Sequence, residues 1–334
     1  MRRIWVVTVV TLGLAVVPAF AQAPDTSMNV NVFTAPEILQ APVIDGDLSD
    51  PVWANVPEFP VMENGDNDAP TEKGDLDVVA KVAWHDGTNA LYFGISVVDE
   101  SYCNANGLGA STNAEGWHNE RVELIIDGIN SCEAGDLLTT GYHQQYTFDM
   151  PNVWDNNKPE AGEYGMADVP VSTSFIPVKV YERISRTIEP VHPDAYPFDL
   201  SDKFLQSAAR LRATQQKTEW IEAPVEFVWE IKLVVFEQLL PADDVAVDVT
   251  DPANLKNGYE AVFADTAQIV KDLKTNGVIG FTIQQNDADV FAESPTREHQ
   301  NNTTGFSGNW NSSQNLSALI LGSAITNVGD WPLR

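Results

Sequence analysis

Two nine-residue runs, LDVVAKVAW at 76–84 and ALYFGISVV at 90–98, stand on either side of the pentapeptide His85-Asp86-Gly87-Thr88-Asn89. Both runs are rich in β-branched and aromatic residues, and an Asp-Gly between such runs is a hairpin signal. They predict two long antiparallel strands, whose buried faces need further strands to cover them. Short apolar runs bounded by turn residues recur at 121–127, 143–150, within 171–183, and at 225–235, 278–284 and 317–321. Residues 42–47 predict a further short strand entering an Asp-Gly turn, and Ser49-Asp50-Pro51 caps one or two helical turns over 51–55. Helical spacing is confined to 201–212, with apolar residues at 204, 205, 208 and 211, and to 260–274. The expected fold class is all-β: a jelly-roll-like β-sandwich of two antiparallel sheets, with long insertions and a few short helices.

The N-terminus predicts an address rather than a strand. Arg2 and Arg3 precede an apolar run from Ile4 to Val17, and Ala19-Phe20-Ala21 follows, the pattern of a secretory signal peptide cleaved after Ala21. The apolar run is shorter than the ~20 residues a spanning helix needs, and no later run is long and apolar enough to cross a bilayer. The expected mature protein is secreted, periplasmic or extracellular, with no membrane insertion. The full chain of 334 residues exceeds the usual size of one core, yet no linker or internal repeat divides it. The domain reading is a signal peptide over 1–21 and one β-sandwich domain over 22–334, with insertions near 151–222 and 241–276.

Forty-eight acidic residues against nineteen basic ones give a net charge of −29, and loss of Arg2 and Arg3 makes the mature chain more negative still. That surface excludes nucleic acid and anionic membranes as partners, since both are held by Lys and Arg clusters. It suits a neutral or cationic ligand, and equally plain solubility. The two cysteines, Cys103 and Cys132, flank the 121–127 run. In an oxidising compartment they are expected to form a disulfide, worth roughly 3 kcal/mol in the chain-entropy model. Two free buried thiols are the alternative.

The stretch GWHNERVELIIDG at 116–128 combines a loop aromatic with a strand of two unlike faces. Strand parity puts Val122, Leu124 and Ile126 on a core face and Arg121, Glu123, Ile125 and Asp127 on the other. Trp53, Trp84 and Trp229 stand in apolar periodic surroundings and are assigned to the core. Trp117 and Trp310 stand among Gly, Asn and Ser instead, where an exposed aromatic needs a ligand or a packing neighbour. Flat aromatic faces suit the apolar C–H face of a sugar ring.

The ordered set of motifs resembles the family 9 carbohydrate-binding modules. It runs from Val43-Ile44-Asp45-Gly46 and Trp53 through Val82-Ala83-Trp84 and Leu91-Tyr92-Phe93 to Trp117 with 122–127. It continues through Val228-Trp229-Glu230-Ile231-Lys232, Ile279-Gly280-Phe281 with Ile283-Gln284, Trp310, and the last strand at 316–321. The resemblance implies a secreted non-catalytic sandwich that binds poly- or oligosaccharide, at chain ends, in association with polysaccharide breakdown. It also implies that Trp117 and Trp310 sandwich a sugar while Glu123 and Gln284 grip its hydroxyls, Asn309 adding an amide. Binding members carry an arginine on the strand after the Glu strand. Here Thr147 occupies that place, with Arg121 the only substitute on the face of Glu123.

The family further implies structural calcium, for which Asp45, Asp47 and Asp50, or Asp287 and Asp289, supply oxygens. The first three are also ordinary turn and cap residues, so no metal ligands are assigned. Haem-holding relatives of the sandwich give one rival reading; five histidines and Met150 are present, but no C-x-x-C-H, and His85, His118 and His143 are expected to be solvated. An enzyme is a second rival, without a G-x-S-x-G, an H-E-x-x-H or a phosphate-binding glycine loop to support it. A surface or assembly protein that keeps the sandwich but not the sugar site is a third.

Overall fold

The computed structural model describes residues 25–61, 63–64, 76–100, 102–103, 121–132, 142–149, 167–169, 172–177, 205–213, 220–221, 225–240, 267–287, 299–305 and 313–325. These residues form eighteen strands. The first six are β1 (Val32–Glu37), β2 (Glu58–Pro60), β3 (Glu63–Asn64), β4 (Leu76–His85), β5 (Ala90–Asp99) and β6 (Tyr102–Cys103). Next come β7 (Arg121–Asp127), β8 (His143–Asp149), β9 (Ala167–Val169), β10 (Ser172–Pro177), β11 (Leu205–Ala213) and β12 (Trp220–Ile221). The last are β13 (Val225–Leu233), β14 (Phe236–Leu240), β15 (Ala267–Val270), β16 (Val278–Asp287), β17 (His299–Asn302) and β18 (Ser317–Ala324). Short 3-10 turns over Trp53–Asn55, Asp86–Thr88 and Ser313–Asn315 are the helical content of the described residues. No helix among them is long and apolar enough to cross a membrane.

The hairpin of β4 and β5 forms in unbroken register from Leu76↔Asp99 to His85↔Ala90. Its connection is the Asp86–Thr88 turn closed by Asn89, which takes the left-handed region at φ 49°. Asn tolerates that region, and here its side chain is used as well. Asn89 Nδ2 donates to Lys271 O at 2.8 Å, and Leu273 N donates to Asn89 Oδ1 at 2.8 Å. The turn is thereby clamped to the segment that follows β15.

Burial enforces the period-two pattern. Leu76, Val78, Ala80, Val82 and Trp84 of β4 face one core with Leu91, Phe93, Ile95 and Val97 of β5 and Val225, Phe227, Trp229, Ile231 and Leu233 of β13. Val122, Leu124 and Ile126 of β7, Tyr146 and Phe148 of β8, and Ile279, Phe281 and Ile283 of β16 complete the same core from the opposite layer. Ring contacts span the layers, Phe148 against Trp229 at 6.4 Å and Phe59 against Phe281 at 6.5 Å. The all-β sandwich and the core placement of Trp53, Trp84 and Trp229 are therefore found as expected.

The layers are also joined at an edge. β1 runs parallel to β18 from Val32↔Ala318 to Ala35↔Leu321 and then meets β4 at Glu37↔Trp84. One sheet in the order β10-β8-β7-β16-β18-β1-β4-β5-β13-β11-β9 thus curls over its own core.

Three local expectations are corrected. Residues 205–212 of the segment with helical spacing, 201–212, lie in a strand, β11, which pairs with β13 over nine positions from Leu205↔Leu233 to Ala213↔Val225; residues 201–204 lie outside the described residues. A long neighbouring strand supplies the ladder, and tertiary pairing overrides a spacing that fits both periods. Within 260–274, residues 267–270 form β15, paired with β14, and 271–274 lead into a turn at Thr275-Asn276, not a helix; residues 260–266 lie outside the described residues. Residues 42–47 form no strand, because their backbone donors go to side chains: Asp45 N and Gly46 N to Glu230 Oε2, at 2.9 and 3.2 Å, and Val43 N to Asp50 Oδ2 at 2.9 Å. Gly46 has φ +78° and lies so close to β11 that a Cβ there would come within 2.9 Å of the Ala209 carbonyl carbon.

The disulfide expectation is also corrected, since Cys132 is a free thiol. Asp99, at the end of β5, pairs with Leu76, whose carbonyl accepts from Asn301 Nδ2 at 3.0 Å. Asn301 pairs with Gln285, which pairs with Val122 near the start of β7. Cys103 follows β5 from that end, whereas Cys132 follows the far end of β7. A seven-residue strand spans ~23 Å, and a disulfide needs Cα atoms within roughly 7 Å.

Part of the 151–222 region is integral to the sheet: β9 and β11 extend the β13 side, and β10 flanks β8. Residues 1–21, expected to be a signal peptide, lie outside the described residues.

Candidate functional site

The non-core faces of β7, β8, β16 and β17 carry a connected group of acid and amide side chains. Antiparallel pairing sets Glu123 opposite Gln284 on one side and opposite Thr147 on the other. Gln284 in turn faces Asn302, and Asn286 faces Gln300. Directly opposed and diagonal residues on one face of a sheet are within side-chain reach.

Three amides converge on the Glu123 carboxylate. Gln145 Nε2 donates to Oε2 at 2.8 Å, Gln284 Nε2 donates to Oε2 at 3.2 Å, and Asn286 Nδ2 donates to Oε1 at 3.2 Å. Gln300 Nε2 then donates to Asn286 Oδ1 at 2.8 Å, extending the network to β17. Glu123 is 4 % exposed, Gln284 2 % and Gln300 3 %. The carbonyl oxygens Gln284 Oε1 and Gln300 Oε1 are buried without a hydrogen-bond partner. Such an acceptor costs about 1–3 kcal/mol unless something donates to it.

Next to the network, Asn302 Oδ1 accepts from Thr304 N at 2.8 Å and from Gly305 N at 2.6 Å. This turn closes the chain beyond β17 at Gly305. Ser317 Oγ and Asn31 Nδ2 both donate to Thr303 O, tying the turn to β18 and to the residue before β1.

The structure thus brings Glu123 and Gln284 together. Arg121 occupies the register position opposite Asp149 and Asn286. Trp117, Asn309 and Trp310 lie outside the described residues. Gln145, Asn286 and Gln300 were not singled out from the sequence. Their signal was present as polar residues at every second position, 284 and 286 on one strand and 143, 145, 147 and 149 on another.

His143, expected to be solvated, is 1 % exposed, and its Nδ1 lies 3.2 Å from Ser313 Oγ. It begins β8, whose pairing with β7 carries it under the 313–315 turn. His85 Nδ1 lies 3.1 Å from Thr88 Oγ1 in the hairpin turn. Among the calcium candidates, Asp45 and Asp47 both pair with the Arg210 guanidinium. The backbone N–H of Ser49 holds the Asp47 carboxyl below the usual carboxylate range, with the Ser49 side chain and Arg210 adding to the shift. Asp289 lies outside the described residues, among which no group of three or more His, Cys, Asp or Glu side chains comes together to hold a metal.

No curated protein matches the chain. Solved structures that resemble it include a family 9 carbohydrate-binding module from Caldicellulosiruptor kristjanssonii in complex with glucose, and one from the same organism in complex with cellotriose. Each is 15 % identical; the alignments cover 89 % and 90 % of this chain and 100 % of each module, with TM-scores of 0.46 and 0.45. Residues 44–167, from the Asp45-Gly46 turn past β7 and β8 to the first residue of β9, match the family described as carbohydrate family 9 binding domain-like.

Proposed function

We propose that the protein is exported and binds carbohydrate without catalysis, as part of a polysaccharide-degrading system. Glu123 and Gln284 orient the sugar through its hydroxyls, and Trp117 and Trp310 stack on its faces. The observation that carries this reading is the Glu123–Gln284 pair, held in register on the non-core face with a buried amide oxygen that lacks a donor. The family match over 44–167 supports it independently. Trp117 lies four residues before β7, and Trp310 lies between β17 and β18, so both belong to segments entering or leaving the strands of the network. Arg121 and Asn309 flank the same positions as auxiliary polar contacts.

An affinity on the order of micromolar, about −8 kcal/mol, is expected. Calorimetric titration of the protein with soluble mono- and oligosaccharides tests the reading. Saturable heat that disappears in Trp117→Ala and Glu123→Ala supports it, provided both variants keep the wild-type circular dichroism. No heat with any sugar, with calcium present, overturns it.

A further inference from the structure

The orientation of each amide in the network is fixed from one end. The Glu123 carboxylate oxygens accept from Gln145, Gln284 and Asn286, so each of these amides turns an NH2 group toward Glu123. Asn286 therefore presents its oxygen to β17, and Gln300 must turn its own NH2 group toward that oxygen. Turning either Gln284 or Gln300 around would set oxygen against oxygen. Two acceptors of the network are left without a donor, the carbonyl oxygens Gln284 Oε1 and Gln300 Oε1, both buried. The ligand face of this site consequently asks for hydrogen-bond donors, around a carboxylate, in a chain whose net charge is −29.

We propose that the site selects sugars carrying a protonated amino group, in preference to neutral sugars and against uronic acids. This rests on the carbohydrate-binding reading and specifies its ligand. A neutral hydroxyl can satisfy one amide oxygen by donating its single proton. An ammonium group donates three, none of its positions is an acceptor, and its charge is complementary to Glu123. A uronate carboxylate offers only acceptors, so it leaves both amide oxygens unsatisfied and sets a second negative charge beside the first. Thr147, at the register position opposite Glu123, carries no charge, and Arg121, two residues from Glu123 on the same strand, has its own acid, Asp149, at the opposite register position.

The test is titration of the whole protein at pH 6 with D-glucosamine, N-acetyl-D-glucosamine, D-glucose and D-glucuronate. Glucosamine should bind about five- to tenfold more tightly than glucose, the difference between a charge-assisted and a neutral hydrogen bond. The advantage should vanish on acetylation, which keeps the ring and removes the charge, and glucuronate should give no saturable heat. In Glu123→Gln the gap between glucosamine and glucose should close. The acetylated ligand makes the same comparison without any variant, should Glu123→Gln fail to fold. Glucose binding as tightly as glucosamine, or glucuronate binding as tightly as glucose, overturns the proposal and leaves the carbohydrate reading standing. Silence from all four overturns both.

Discussion

The indole N–H of Trp53 donates to Glu230 Oε1 at 2.8 Å, joining two residues 177 positions apart in the chain. The other carboxylate oxygen accepts from the backbone N–H groups of Asp45 and Gly46. One buried side chain on β13 therefore fixes both the early 3-10 turn and the irregular segment before it, packing Trp53 against Tyr92, Ala83 and Ile38. Burial pushes the Glu230 carboxyl above the usual 4.5, with the three donors only partly opposing it. A carboxyl whose folded pKa is raised holds its proton longer in the folded state than in the unfolded one. Its linkage therefore favours the fold most below the unfolded pKa, and the advantage is lost as pH rises through the folded pKa. Glu230→Gln removes this titration. The gap in unfolding free energy between wild type and Glu230→Gln should be widest near pH 4 and narrow toward pH 8, which urea denaturation at several pH values would measure. A gap that widens with pH would refute the assignment. Glu230→Ala strands three donors at once and should cost about 3 kcal/mol or more at any pH.

Asn89 separates backbone strain from hydrogen bonding. Asn89→Gly keeps the left-handed conformation and loses the bonds to Lys271 O and Leu273 N, for an expected loss of about 1–3 kcal/mol. Asn89→Ala loses the bonds and adds the left-handed penalty, roughly 1 kcal/mol more. The order wild type, Gly, Ala in thermal midpoint is the prediction. Equal midpoints for the two variants would mean that the turn rearranges when its side chain is removed.

Cys132 bears on the redox state of the protein. It sits at φ 51° beyond β7, and its thiol is pushed up by burial and by the neighbouring Asp127 carboxylate. Alkylation of unreduced protein should modify Cys132 slowly at neutral pH and faster as pH rises. Intact mass should be unchanged by reductant. An unlabelled Cys132, with a mass 2 Da heavier after reduction, would mean that the bridge to Cys103 forms.

The strands that burial constrains on one face were legible in the sequence, because a one-residue slip would turn every core side chain outward. That is why 76–84, 90–98, 121–127 and 225–235 lie within two residues of β4, β5, β7 and β13. β11 was not legible, since apolar residues at 204, 205, 208 and 211 satisfy a helical period and only the ladder to β13 decides the matter. Residues 42–47 misled for another reason: their hydrogen bonds go to Glu230, which lies far away in the chain. That Glu123 and Gln284 serve one site followed from the family resemblance, with strand parity turning Glu123 away from the core. The convergence of Gln145 and Gln300 on the same network needed the register between strands, which no single strand's sequence contains.

That register yields the last prediction. Thr147 stands opposite Glu123, at the place to which the family resemblance assigns an arginine. Thr147→Arg would set a guanidinium beside the carboxylate, where it offers two parallel donors and competes with Gln145 Nε2 for Oε2. The substitution supplies positive charge and fixed donors for hydroxyl oxygens, so glucose should bind more tightly, by about tenfold if one charge-assisted bond is gained. The same charge should remove any advantage of glucosamine and let glucuronate bind. Gln145→Ala provides the comparison, because it removes one donor from Glu123 without adding charge. It should weaken every sugar by about three- to tenfold and leave their order unchanged. If Thr147→Arg weakens all sugars as Gln145→Ala does, position 147 does not face the ligand, and the donors and acceptors of this site are set by Glu123 and its amides alone.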